Sequence, residues 1–271
     1  MSSGIKALSV KQRILNATHG LGLDTPGWEL AQFLLLHYDE IDRLRPADIA
    51  ERCHTSPSTV RRFCQSIGYD NFSDLRQAKL ENPENQYEIA RDNYEAGYYE
   101  PRRMYDEIRG ALWNIGQKID RIALSRLADE MWAADAVLIY ALRPYTFVLR
   151  EFQSQYVSLG KALFVFDGIG SRRGVIDRLG ERQCHIALSP AAVFIPAIDA
   201  EMAQLKGFKT VIYCQETLAE ADGEKCLAHY GLSFPLPIHT QEYNYLEVYG
   251  KYAVMFFFDQ LFGLIVERAG Q

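Results

Sequence analysis

The sequence predicts an all-α N-terminal domain followed by a doubly wound α/β domain with a parallel sheet, and three observations predict it. Residues 10–80 carry apolar residues at helical spacing, broken by turn and cap residues. From about residue 106, short apolar, β-rich runs alternate with helical stretches, the pattern of strands buried on both faces. Between the two lies "ENPENQYEIARDNYEAGYYEPRRMY", residues 81–105, acidic, tyrosine-rich and punctuated by Pro83 and Pro101. The expected division is therefore a domain over 1–80, a partly helical linker over 81–105 and an α/β domain over 106–271, which suits a chain too long for one average domain.

The elements follow in order. "TPGWELAQFLLLHYDEI" spaces Leu30, Phe33, Leu34 and Ile41 as a helix does, and Asp24 or Thr25 with Pro26 supplies the start. "RPADIAERC" reads as a short helix with Pro46 in its first turn. In "SPSTVRRFCQSIG", Ser56 is the expected N-cap, Pro57 the first helical residue and Gly68 the stop. "NFSDLRQAKL" makes another helix. Strands are expected at 136–141 (AVLIYA), 162–167 (ALFVFD), 184–189 (CHIALS), 209–214 (KTVIYC) and, more weakly, 231–237 (GLSFPLP). The last helix, "YNYLEVYGKYAVMFFFDQLFGLIVERAG", fits a core helix or a subunit contact equally well.

Composition narrows the function classes. The N-terminus has no uninterrupted apolar stretch of the secretory kind, and no apolar run reaches the ~18 residues of a membrane span, so a cytoplasmic protein without a membrane partner is expected. Cys53, Cys64, Cys184, Cys214 and Cys226 form no CxxC pair and sit in apolar or helical patterns, which favours reduced, buried thiols over disulfides or a metal site. No cofactor signature stands out. Residues 1–80 hold 10 Lys+Arg against 9 Asp+Glu, while the rest holds 19 against 26. The N-terminal part is thus the less repellent face for a polyanion.

The stretch 56–68 has two faces. At about 100° per residue, Val60, Phe63, Cys64 and Ile67 share one side, Ser58, Arg62 and Gln65 point the other way, and Arg61 lies on the flank. Arg and Gln are the side chains that bond guanine and adenine edges in the major groove, and Ser or Thr at a helix N-terminus binds phosphate. Ser56, Ser58, Thr59, Arg61, Arg62 and Gln65 are therefore the candidate contacts to double-stranded DNA, the plain alternative being a capped surface helix with solvated arginines.

The residues from Leu44 to Arg76, "LRPADIAERCHTSPSTVRRFCQSIGYDNFSDLR", resemble the N-terminal domain of the RpiR family of bacterial transcriptional regulators. The resemblance rests on an alanine-bearing helix, Ser56-Pro57-Ser58-Thr59-Val60, Arg62-Phe63-Cys64, Gly68-Tyr69, and then Phe72 and Leu75. It implies a sequence-specific helix-turn-helix regulator controlling carbohydrate metabolism genes, while the lack of a well-placed His and Glu pair argues against enzymatic, isomerase-type activity. It also implies a C-terminal SIS (sugar isomerase) domain that dimerises or tetramerises and senses phosphorylated sugars.

The loops depart from that pattern. Where the family has a glycine- and serine-bearing loop after the first strand, this chain reads Ala141-Leu142-Arg143-Pro144-Tyr145-Thr146; after the third it reads Ser189-Pro190-Ala191-Ala192-Val193-Phe194. Pro190 has no N–H to donate, and of the hydroxyl cluster only Ser189 remains. A second anion-binding candidate is "DGIGSRRG" over 167–174, where glycines let backbone approach a phosphate and arginines add charge. Arg143, Thr146, Ser171, Arg172, Arg173 and Ser189 are accordingly the candidate effector residues, while His185, His229 and His239 read as structural. Two alternatives stay open: an α/β domain that only oligomerises, and a sugar-phosphate isomerase-type enzyme with an N-terminal interaction domain.

Overall fold

The computed structural model describes residues 9–18, 22, 24–81, 86–141, 145–167, 176–189, 194–214, 223–236 and 243–270. The chain divides into two compact units, Met1–Arg91 and Asp92–Gln271, so the division falls within the stretch 81–105. That stretch holds helix α6 (Gln86–Glu95) and the start of α7 (Pro101–Lys118).

The first unit is built from α1 (Val10–Thr18), α2 (Pro26–Leu36), α3 (Pro46–Arg52), α4 (Pro57–Ser66) and α5 (Phe72–Glu81). Each start has a local cause. The Thr25 hydroxyl accepts from the Trp28 N–H ahead of Pro26, and the Asp48 carboxylate accepts the Arg45 N–H at the head of α3. Asn71 Oδ1 accepts from the N–H groups of Ser73 and Asp74 at the start of α5. One apolar cluster joins all five helices: Ile14 of α1, Leu30 and Leu34 of α2, Ile49 of α3, Val60 and Cys64 of α4, and Leu75 of α5 are each fully enclosed. The helix expected over 25–41 ends at Leu36, where His37 leaves helical geometry at ψ 28°, and a 3₁₀ turn over Tyr38–Glu40 follows. Both Tyr38 and Ile41 stay buried across that break.

The second unit continues with α8 (Arg121–Ala133), β1 (Ala136–Ala141), α9 (Tyr145–Ser158), β2 (Leu163–Asp167), β3 (Gln183–Ser189), α10 (Phe194–Gln204), β4 (Phe208–Cys214), a 3₁₀ helix over Gly223–His229, β5 (Leu232–Leu236) and α11 (Tyr243–Ala269). The strands pair in parallel in the order β2-β1-β3-β4-β5, which is the doubly wound arrangement the alternation predicted. Alternation of side chains along β1 assigns its two faces. Val137, Ile139 and Ala141 join the core with α8, α9 and α11, while Leu138 and Tyr140 join the core with Ile198 and Met202 of α10. Helix α11 is a core helix: Tyr249, Ala253, Phe257, Leu261 and Ile265 are enclosed along it. Its Tyr249 hydroxyl donates to the Tyr98 carbonyl, and Arg268 near its end binds Asp129 and Ser125 of α8.

On the α10 face His185 is completely buried; its Nε2–H donates to the Lys206 carbonyl at 2.8 Å, and Nδ1 accepts from the Tyr140 hydroxyl at 2.9 Å. Burial lowers its pKa to about 4. Cys53, Cys64 and Cys184 are buried free thiols, with burial raising Cys64 to about 11 and Cys184 to about 12. The side chains of Cys214 and Cys226, and all of His239, lie outside the described residues. Among the described residues no helix is long and apolar enough to cross a membrane, and no three His, Cys, Asp or Glu side chains gather as a metal site.

Candidate nucleic-acid interface

Helix α4 is held in place from both ends and by one face. At its head the Ser56 hydroxyl accepts the Thr59 N–H at 3.2 Å, and Pro57 occupies the first helical position. Val60, Phe63, Cys64 and Ile67 are all buried against the other helices of the unit. Ser58, Arg61, Arg62 and Gln65 are all exposed, so the two-faced layout expected from spacing is the one the fold uses.

The turns flanking α4 share one geometry. After α3, the Thr55 N–H reaches back to the Ala50 carbonyl and the His54 N–H to Glu51, a Schellman closure with His54 left-handed at φ 47°. After α4, the Tyr69 N–H bonds the Cys64 carbonyl and the Gly68 N–H bonds Gln65, with Gly68 at φ 91°. A Cβ on Gly68 would sit 2.6 Å from Arg13 Nη1. Arg13 of α1 donates to the Ile67 carbonyl at 3.2 Å and lies over the Tyr69 ring, fastening the end of α4 from 54 residues away. Sequence reading did not reach Arg13 or the role of His54. The first acts over long separation, and the second stands where glycine is the usual signal.

Most of the polar candidates are joined in one network. The Ser56 hydroxyl lies 2.7 Å from that of Ser58 and 2.9 Å from that of Thr59, and the Thr59 hydroxyl accepts from Arg62 Nη2 at 3.2 Å. One turn further on, Gln65 Nε2 donates to the Asp70 carbonyl at 3.4 Å. Arg61 is exposed beside this group. Nearby, two guanidinium bonds from Arg45 hold the Asp48 carboxyl below its usual range, so the head of α3 carries a matched ion pair rather than a bare negative charge. The exposed face thus offers hydroxyl, amide and guanidinium groups together with the N–H groups of a helix N-terminus, which is a set suited to phosphate and base edges.

Residues 14–83 match the family described as "Helix-turn-helix domain, rpiR family". The chain carries an rpiR-family helix-turn-helix domain. No curated protein matches it. Among solved structures, the chain is similar to the Vibrio vulnificus NanR protein complexed with ManNAc-6P, at 15% identity and a TM-score of 0.48, covering 96% of this chain and 92% of that one. It is also similar to the hypothetical protein MJ1247 of Methanococcus jannaschii, whose structure infers a function of 3-hexulose-6-phosphate isomerase, at 14% identity and a TM-score of 0.46, covering 61% and 88%.

Of the effector candidates, Thr146 and Ser189 lie among the described residues. Arg143, Ser171, Arg172 and Arg173 lie outside the described residues, as do Pro190 to Val193. Thr146 is half-buried in the first turn of α9, and Ser189 is buried at the last position of β3.

Proposed function

We propose that this chain, a DNA-binding transcriptional regulator by its rpiR-family domain, sets α4 in the major groove and acts in the cytoplasm as a homodimer or tetramer on paired half-sites. Arg61, Arg62 and Gln65 reach base edges and the adjoining backbone, and Ser56, Ser58 and Thr59 engage phosphate at the helix head. The observation that carries this reading is the division of α4, with every apolar side chain enclosed and every candidate contact but half-buried Thr59 exposed. A twofold pair of such domains reads half-sites about 34–36 Å apart, one turn of the duplex.

The α/β unit, in this reading, takes an anionic small molecule such as a phosphorylated sugar, without turnover. Support comes from the strand order, which reverses direction between β1 and β3, the place where open α/β sheets hold ligands beyond their carboxyl ends. Ala141 and Ser189 end those two strands, and Thr146 lies in the first turn of the helix that follows the first. The buried histidine of that sheet is committed to Tyr140 and the Lys206 carbonyl, leaving it no role as a proton carrier.

Capture and sequencing of genomic fragments, at a stated near-physiological salt, tests the DNA reading with an Arg61→Ala/Arg62→Ala variant alongside. Enrichment of a paired sequence by the wild type and its loss in the variant supports it. Equal behaviour of the two proteins makes those arginines surface charge and ends the proposal. A thermal-shift series with phosphorylated sugars addresses the effector separately, and a flat response across the series reduces the α/β unit to an oligomerisation scaffold.

A further inference from the structure

The division between the two units falls inside a helix: the first unit ends at Arg91 and the second begins at Asp92, while α6 runs from Gln86 to Glu95. Among the described side chains of α6, Asn93 alone is buried, and Ala90 to Asp92, Tyr94 and Glu95 are exposed. The closing turn is therefore what secures this helix. The Tyr98 N–H returns to the Asn93 carbonyl at 3.0 Å and the Gly97 N–H to the Tyr94 carbonyl at 2.9 Å, a Schellman motif with Gly97 left-handed at φ 74°. That motif brings Asn93 and Tyr98 together, and both are buried.

The turn is fastened within the α/β unit. Tyr249 of α11 donates its hydroxyl to the Tyr98 carbonyl and sets its ring edge-on to the Tyr98 ring, with centroids 6.0 Å apart. Arg103 of α7 lies over the Tyr98 ring at 4.4 Å and donates to the Ala96 carbonyl at 2.7 Å, one of the acceptors that a helix end leaves over. Glu100 caps α7 with both carboxylate oxygens, accepting from the N–H groups of Arg102 at 3.2 Å and Arg103 at 2.7 Å. The consequence is one of length. With the end of α6 fixed, four residues, 82–85, separate α5 from an arm that belongs to the α/β unit, and four residues span at most ~14 Å. Were the turn released, the same connection would run over 82–100 and span up to about 45 Å even with α6 still helical.

We propose that Tyr98, Arg103 and Tyr249 form a clamp that fixes the spacing of the half-sites this protein reads. This rests on the reading of the chain as a regulator on paired half-sites, and it names residues far from α4 in sequence that decide which spacing is accepted. They are positioning residues, acting through α6. A short connection holds each reading helix within a narrow range of positions, whereas a long one lets it reach a displaced half-site.

Two measurements on the full-length chain test the clamp with Tyr249→Phe, which keeps the ring, Arg103→Met, which keeps the stem, and Tyr99→Phe, at the exposed neighbour, as a control. In hydrogen exchange the Gly97 and Tyr98 amides are expected to exchange roughly 10-fold faster in the first two, where a carbonyl of the turn loses its donor, and as in wild type in the third. In gel shifts on a captured paired sequence, about five base pairs added between the half-sites turn them half a turn apart. Wild type is expected to lose roughly 100-fold in affinity on the insertion and the two clamp variants no more than about 10-fold, with a single half-site bound alike by all. Clamp variants that exchange like wild type overturn the proposal. So do variants that exchange faster yet keep the wild-type penalty on the insertion, the result of a contact that serves stability alone. A wild type that captures paired sequences but tolerates the insertion sinks the clamp and leaves the DNA reading standing. One that captures none ends the DNA reading and the spacing role with it, even where exchange shows the turn held.

Discussion

Acid should weaken the α/β unit through His185 well before its carboxylates protonate. The ring is enclosed, with Nε2–H given to the Lys206 carbonyl and Nδ1 accepting from Tyr140. Protonation would make Nδ1 a second donor and strip the Tyr140 hydroxyl of its acceptor. Burial accordingly holds the native pKa at about 4, against an ordinary 6.5. Between those values the unfolded chain binds a proton that the native one refuses, so the stability is whole above pH 6.5 and falls as pH drops through the window. From about pH 7.5 to about pH 5 the loss comes to ~2 kcal/mol, at 1.36 kcal/mol per unit below the unfolded pKa. Urea unfolding followed through Trp113 and Trp132, in a Trp28→Phe background that silences the N-terminal unit, measures it. His185→Gln lacks the titrating group and should lose less stability over the same interval by about that amount, whatever its stability at neutral pH. Equal pH slopes in the two proteins would refute the assigned protonation state and the bonding that enforces it.

Other expectations concern the reading helix. Ser56→Ala removes the cap of α4 and should lower the stability of the N-terminal unit by about 1 kcal/mol in urea melts. His54→Gly relieves a left-handed non-glycine residue and should raise it by roughly 0.5–1 kcal/mol, the gain limited by the greater freedom of glycine in the unfolded chain. Gly68→Ala should destabilise by about 1–2 kcal/mol from backbone strain alone and displace Arg13 as well, visible as a larger loss than Arg13→Ala produces. On an identified operator, Arg62→Ala should weaken binding by ~1–3 kcal/mol with relaxed preference at one base position, whereas a lost phosphate contact would act evenly across sequences and flatten the salt dependence.

Features governed by neighbours within a few residues are legible in the sequence. Alternating apolar runs gave all five strands to within about a residue at each end, because burial on both faces leaves little choice of composition. Ser56, Pro57 and Gly68 marked α4, and its 3.6-residue period marked its two faces. The break after Leu36 was not legible, since no glycine or proline announces it. Nor were α7 and α8 resolved as two successive helices ahead of β1, as attention to strand alternation merged them into the domain that follows. The tie from Arg13 to Ile67 joins residues far apart in sequence and leaves no local trace. On the effector side, Ser189 was traceable to a strand end by its position after an apolar run, while a loop's grip on a ligand depends on backbone directions that composition does not encode.

The hydrogen bonds within the α4 surface bear on how such a protein tells one sequence from another. Arg62 already has Thr59 and Gln65 already has the Asp70 carbonyl, so a base contact exchanges one partner for another and adds little net bonding on its own. A matching base edge offsets what is given up; a mismatched one leaves a donor stranded at a dry interface, at a cost of about 1–3 kcal/mol. Holding Arg62 beforehand also means fewer rotamers to freeze on contact. If α4 reads bases as proposed, discrimination comes from the penalty on wrong partners more than from the strength of the right one.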